Sequence, residues 1–307
     1  MANAIPLLEG TDASGGYLVR DSYGQTLLTT IQRESAVMSL SRVDQVPGKR
    51  QKYSIYAGRP TAAFVGEGAA KGTTGAEFSE LTINVKKIAT NVLYTQELLE
   101  DAAEDPRVLI NADVEAAFAD LVDAHALGKA AGTNLSTSFD NSLRQTSQTV
   151  ELGSGGAALA TAVSSAMNKI EANGGTPSGL ILASDGRAHL RDARNAVETQ
   201  TPVYTDGFTQ APDSLYGMPI SYSSNLSPFS AAAAGTKIVG IVGDFSNSIA
   251  VMRSDLTVRA SDQASVDVGG TLHHLWQQNK TALQWEMRVG YAINDRDRQF
   301  VAILDAS

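Results

Sequence analysis

Cysteine is absent from this chain of 307 residues. That excludes disulfides, thiolate metal centres and cysteine nucleophiles together. Any covalent reinforcement has to come from other functional groups. Long apolar runs are missing as well. Nothing approaches the roughly 20 residues a membrane-spanning helix needs, and the block from Ala231 to Ala234 is far too short. Met1-Ala2-Asn3-Ala4 has no basic region leading into an apolar core, so no secretory signal is expected and synthesis should be cytosolic. Basic charge is in deficit, with 24 Lys and Arg against 33 Asp and Glu and a formal net charge of −9. A nucleic-acid binder normally shows a basic footprint, so this balance argues against one. The remainder is ordinary for a globular protein, 43% hydrophobic and 19% charged, and long enough to bury a real core.

Catalytic signatures are equally scarce. Gly66-Glu67-Gly68-Ala69-Ala70-Lys71-Gly72-Thr73 looks superficially like a phosphate loop, but its lysine precedes the glycine and no buried strand leads in. There is no Gly-x-Ser-x-Gly elbow and no His-Glu-x-x-His. His273 and His274 are the only adjacent histidines. Neighbours on a strand point to opposite faces, so they should not share a metal. His125, Trp276 and Trp285 read as packing residues. No metal and no cofactor are expected.

What is present has a mixed α+β order without internal repeats. Asp21 to Glu34 reads as a short amphipathic helix through Tyr23, Leu27 and Ile31. From Val46 the chain turns rich in Gly, Pro, Lys and Arg. Alternation returns at Leu81, Ile83 and Val85 and again at Ile88, Val92 and Tyr94. Two long strands joined by a flexible tip fit this, an extended hairpin with little core of its own. Arg107 to Ala131 is the clearest helix, with Ile110, Val114, Ala117, Phe118, Leu121, His125 and Gly128 on one stripe and Pro106 at its start. Leu159, Val163, Met167 and Ile170 mark a second helix, closed by Asn173-Gly174-Gly175. Leu180 to Leu182 reads as a buried strand, Ser184 as the cap of a helix through Asn195, and Ile238 to Val242 as another buried strand. Leu272 to Ile293 and Phe300 to Leu304 close the chain.

Charge is unevenly placed. Residues 46–90 hold seven basic side chains (Lys49, Arg50, Lys52, Arg59, Lys71, Lys86, Lys87) against three acidic, a net of +4. Residues 97–123 hold nine acidic ones, Glu100, Asp101, Glu104 and Asp113 among them, against Arg107, a net of −8. One reading makes both plain solvated faces; the sharper reading lays the basic hairpin across the acidic helix of a neighbouring copy, setting register and encounter more than affinity.

Five phrases in fixed order carry a resemblance: Gly15-Gly16-Tyr17-Leu18-Val19, Gly66 to Lys71, Leu215-Tyr216-Gly217-Met218-Pro219-Ile220, Gly243-Asp244-Phe245, and Glu286-Met287-Arg288-Val289. With the long helix between them, the chain resembles the major capsid proteins of tailed phages, the Hong Kong 97-type fold. The resemblance runs from Gly15 to about Leu304. It implies an N-arm over 1–45 and an extended loop over 46–90. A peripheral domain with a spine helix would cover 91–150 and 266–307, and an axial domain 151–265. Encapsulins share this fold, so a protein nanocompartment shell stands as the alternative. A soluble hydrolase or binding module is the alternative of another class.

Part of that family ties its subunits by lysine–asparagine isopeptide bonds. Glu67 to Lys71, seven residues before Phe78, resembles the loop with the reactive lysine, which makes Lys71 the nucleophile. Asn279, with Glu286 seven residues on, resembles the segment carrying the acceptor amide and the assisting carboxylate. A neutral amine would attack the amide while Glu286 takes a proton as ammonia leaves. Burial would favour both the neutral lysine and a more basic glutamate. The resemblance further implies hexamers and pentamers closing an icosahedral shell around double-stranded DNA, without sequence-specific binding and without membrane. Assembly would take place in the host cytoplasm and end in a virion capsid. About 14 residues precede Gly15, so a separate scaffolding protein is expected, beside a portal and in some cases a decoration protein.

Overall fold

A computed structural model describes residues 31, 34–58, 60–101, 106–127, 139, 142–153, 158–192, 213–226, 237–253 and 257–305. The Gly15 to Val19 phrase, most of the expected 21–34 helix, Arg59 and Glu104 lie outside them. The first half holds α1 (Ala36–Leu40), β1 (Arg42–Val46), β2 (Arg50–Gly58), β3 (Glu77–Asn84), β4 (Lys86–Thr95), α2 (Gln96–Asp101) and α3 (Pro106–Leu127). Then come β5 (Thr149–Leu152), α4 (Ala158–Ala172), β6 (Gly179–Ala183), α5 (Gly186–Asp192), β7 (Ser214–Leu215) and β8 (Met218–Ser223). The chain continues through β9 (Lys237–Gly243), β10 (Ser248–Arg253), β11 (Thr257–Ser261), β12 (Ser265–Val268) and β13 (Thr271–His274). It closes with β14 (Lys280–Ile293), α6 (Arg296–Gln299) and β15 (Phe300–Asp305).

Two sheets carry the fold. In the first, β14 is the hub: it pairs antiparallel with β4, β11 and β10, and β10 pairs parallel with β1. The second runs β5-β15-β9-β6-β8-β7. Chain order does not sort them, since β10 and β11 join the first sheet while β15, the last of these elements, lies inside the second. One apolar core connects both sheets and α3, with Phe118, Val122, Ile181, Val242, Trp285 and Tyr291 buried in it.

The family-like phrases have local reasons. Tyr216 and Gly217 both have positive φ, 51° and 79°, the pair a two-residue type I′ hairpin turn requires between β7 and β8. Gly243 faces Phe300 across the β9–β15 ladder, and a Cβ there would meet the Phe300 ring at 2.1 Å. Asp244 then caps a short 3₁₀ turn by accepting from Ser246 N–H, and Phe245 packs edge-on against Phe300 with centroids 5.3 Å apart. At the end of α4, Gly174 N–H donates to Glu171 O and Gly175 N–H to Ile170 O, the paired bonds of a Schellman motif.

Four expectations need correction. Alternation through residues 81–94 belongs to two strands, because Val85 is buried and donates its N–H to Lys49 O. The hairpin is therefore β2–β3, and β4 belongs to the first sheet. The buried stripe of α3 runs Val114, Phe118, Val122, Ala126, leaving Ala117 and Leu121 exposed. Trp285 is fully buried, but Trp276 is 71% exposed. In addition, α5 starts at Gly186, two residues after Ser184.

The stripe of α3 also takes in a carboxylate. Asp123 is 5% exposed and accepts from Ser35 Oγ at 2.5 Å, Ala36 N at 2.8 Å and Val37 N at 3.1 Å. It thereby supplies the donors at the start of α1 with acceptors and fastens that segment to the long helix. Asp120, one turn earlier, accepts from Asn225 Nδ2 at 2.6 Å, fastening the end of β8 to the same helix. Burial pushes the Asp123 carboxyl up, outweighing the pull of its three hydrogen bonds. The folded state then binds the proton more tightly than the unfolded chain. Stability falls as pH rises from the ordinary aspartate range, about 4, through the raised value. Asp123→Asn removes this dependence and leaves one backbone N–H without an acceptor, lowering stability at neutral pH by about 1–3 kcal/mol. Thermal unfolding of both proteins from acid to neutral pH measures each effect. Gly243→Ala should cost about 1–3 kcal/mol by overpacking. Adding Phe300→Leu should make that extra cost disappear in a double-mutant cycle.

Candidate functional site

The β2–β3 hairpin is a two-stranded sheet of its own, too small to hold itself together in water. Its root is fixed by a second apolar cluster of Val46, Ile83, Val85, Ile249, Val251 and Ala292, against which Tyr53 and Leu81 pack. Tyr53 donates to Asp44 at 2.8 Å. Gly290 provides the seat: a Cβ there would meet Ile83 Cγ2 at 2.9 Å and Asn84 O at 3.1 Å. Beyond the root nothing in the chain covers the hairpin among the described residues. Residues 60–76 have no regular structure and are all exposed. Phe64 is fully exposed, Phe78 is 68% exposed, and among the described residues the ring of Phe78 meets that of Tyr56, itself half exposed. Exposed aromatics grouped on an element without a core mark an interaction surface. Sequence periodicity missed this feature, since the Phe64-Val65 pair has no pattern around it.

Lys71 lies in this tip, exposed and without a hydrogen-bond or ion-pair partner among the described residues. Asn279 stands at the other end of the proposed chemistry. It is exposed and has φ 47° and ψ 46°, a left-handed conformation that asparagine tolerates better than most residues. Its carbonyl accepts from Gln96 N–H at 2.9 Å. Glu286 sits on the outward face of β14 with its side chain 16% exposed. Lys87 Nζ reaches its Oε2 at 2.7 Å and Arg288 lies 3.7 Å from Oε1. Lys87 is thus the closer ionic partner, ahead of the Arg288 beside it in sequence. The hydrogen bond from Lys87 holds the Glu286 carboxyl below its ordinary value, helped by the charges of Arg288 and Arg259. That direction is opposite to the one expected of a buried base.

Distance along the strand separates acceptor from carboxylate. Seven residues of extended chain span roughly 23 Å, so Asn279 and Glu286 of one chain do not meet at a single bond. The charged surfaces are also partly committed internally. Lys52 pairs with Glu80 at 2.7 Å and Arg50 donates to Asn84 at 3.1 Å, while Asp120 and Asp123 serve α1 and β8. Lys49, Lys86, Glu97 and Asp113 remain exposed; Glu100 and Asp101 lie on α2. On β13 the two histidines take separate partners: His273 Nδ1 lies 3.0 Å from Gln278 Oε1 and His274 Nδ1 2.8 Å from Ser265 Oγ.

Comparison with known proteins was made on sequence and on fold. No curated protein matches the chain in sequence. Among solved structures, one from Microbacterium phage Oxtober96 superposes with a TM-score of 0.72 at 20% identity, covering 99% of this chain and 96% of that one. A structure from Mycobacterium phage Adephagia gives 0.71 at 18% identity, covering 98% and 99%. A capsid of an empty GTA particle gives 0.65 at 16% identity, covering 100% and 95%. These likenesses establish the fold from end to end. The model of the phage capsid family matches residues 15–302. With only the two ends of the sequence left outside that match, the chain belongs to the phage capsid family.

Proposed function

We propose that this chain is the major subunit of the head shell of a tailed double-stranded DNA phage. As a member of the phage capsid family it is a structural shell protein, located in the virion capsid, and it works by self-assembly. The finer reading has copies forming hexamers and pentamers of an icosahedral shell in the host cytoplasm, with a scaffolding protein, a portal and in some cases a decoration protein as partners. The hairpin carries this reading: its exposed aromatics and unsupported length find their packing on a second copy, so stability of the hairpin and assembly are one equilibrium. Lys49 at its foot and Lys86 at the start of β4 face the exposed acids of a neighbour, Glu97 and Asp113, as the pairing that sets register. The N-arm, extended loop, peripheral domain and axial domain are assigned to 1–45, 46–90, 91–150 with 266–307, and 151–265.

The same reading includes covalent reinforcement. Lys71 of one copy attacks Asn279 of a second, and because Asn279, just before β14, and Glu286 within it stand far apart, the assisting carboxylate comes from another copy again. The exposure of Lys71 at the end of the hairpin, without a partner among the described residues, supports this. Two measurements test the reading. Phe64→Ser should leave the unfolding of the isolated subunit unchanged and sharply reduce particle yield in electron micrographs; unchanged particle yield would remove the hairpin tip from the interface. For the bond, particles of wild type, Lys71→Arg and Asn279→Asp are boiled in reducing SDS and separated on a gel. A ladder of multiples in wild type that collapses to monomer in both variants is expected. Aspartate also tolerates the left-handed backbone but has no ammonia to lose, so intact particles with a single band in wild type would end the crosslinking reading alone.

A further inference from the structure

Resting on the crosslinking reading, we infer that Lys87 is a positioning residue that restrains Glu286 and thereby sets the rate and the pH at which copies become joined. The inference starts from the pleat. On the outward face of β14, Glu286 lies opposite Ala89 of β4 and Thr257 of β11. Lys87 and Arg288 form the next cross-strand pair on that face, and Arg259 stands opposite Gln284 on the other side. Glu286 is therefore faced by one cation from each strand of the face: Lys87 from β4, Arg288 from β14 and Arg259 from β11. Lys87 alone makes a short contact, at 2.7 Å.

The reaction defines what that contact does. The Lys71 nitrogen forms a bond to Cγ of Asn279, the Cγ–Nδ2 bond breaks, and ammonia leaves. One proton passes from the attacking nitrogen to Glu286 and on to the departing nitrogen. Starting from a protonated lysine, a second proton leaves that nitrogen before the attack and is taken up by the ammonia, so the products are one amide and one ammonium ion and no oxidant or energy source is required. The carboxylate has to accept a proton during the step. A neighbouring ammonium stabilises its charged form and makes it a weaker acceptor. Lys87 thus keeps Glu286 ionised, oriented toward β4 and poorly basic. Its side chain is 54% exposed, so the pair opens readily when a neighbouring copy settles on this face.

The test follows ladder formation over time from pH 5 to 9 in particles of wild type, Lys87→Gln, Lys87→Arg and Lys71→Arg, with electron microscopy as the check on assembly. Lys87→Gln returns Glu286 toward its ordinary affinity for protons. Above neutrality crosslinking should then run several-fold faster. The acid limb of the rate profile should move to higher pH, because the carboxylate is lost earlier as pH falls. Lys87→Arg keeps the cation and should behave as wild type; Lys71→Arg should give no ladder at any pH. A ladder in Lys87→Gln where wild type gives none would also support the restraint. A wild-type ladder with an unchanged or slower profile in Lys87→Gln overturns the restraint and leaves crosslinking standing. Intact particles without a ladder in either protein overturn both.

Discussion

The two-residue period of β14 is the constraint on which the remaining structure depends. Trp285, Met287, Val289, Tyr291 and Ile293 project into the core shared with the second sheet and the long helix. The alternate positions, Gln284, Glu286, Arg288, Gly290 and Ala292, form the outer face. A slip of one residue would exchange the two sets. It would bury a glutamate and an arginine, expose a tryptophan, and take the glycine seat away from under the hairpin. One strand therefore sets three things at once: where the core is, how the hairpin leaves the body, and which charges face outward. The size of the apolar set explains why register is held so firmly, since fully burying each such side chain contributes about 1.5–3 kcal/mol.

The long helix is the second organiser, and its acidity turns out to be divided in purpose. Asp123 is buried against residues 35–37 and Asp120, though exposed, is held by Asn225, whereas Asp113 is exposed. From composition alone all three belong to one negative stretch. Only burial and hydrogen bonding separate them, and both depend on contacts with residues 35–37 and 225, which are distant in sequence. A carboxylate used to hold the start of α1 is costly to bury, which explains why it collects three donors.

Much of the fold was legible in the residues. The buried strands at Leu180 and Ile238, the Schellman end at Gly174 and the glycine-rich hairpin all follow from local chemistry that the sequence displays. The sheet memberships did not. That β4 leaves the hairpin to pair with β14, and that β15 joins a sheet begun far upstream, are long-range pairings without a local signal. The same holds for the site. Lys71, Asn279 and Glu286 could be singled out through the family resemblance, but the Lys87 contact could not, because it is a diagonal neighbour across two strands separated by nearly 200 residues of chain. Leu121 and Trp276 failed for the opposite reason: apolar side chains on a subunit that assembles need not be buried within it.

The left-handed backbone at Asn279 has a consequence for reading related chains. Few residue types sit comfortably at that conformation; glycine, asparagine and aspartate lead them. An asparagine can therefore persist there for shape alone, in a lineage whose shells are never welded. Its presence is weak testimony to the chemistry. Drift toward glycine or aspartate at this position, with the turn preserved, would be the fossil of a bond no longer made.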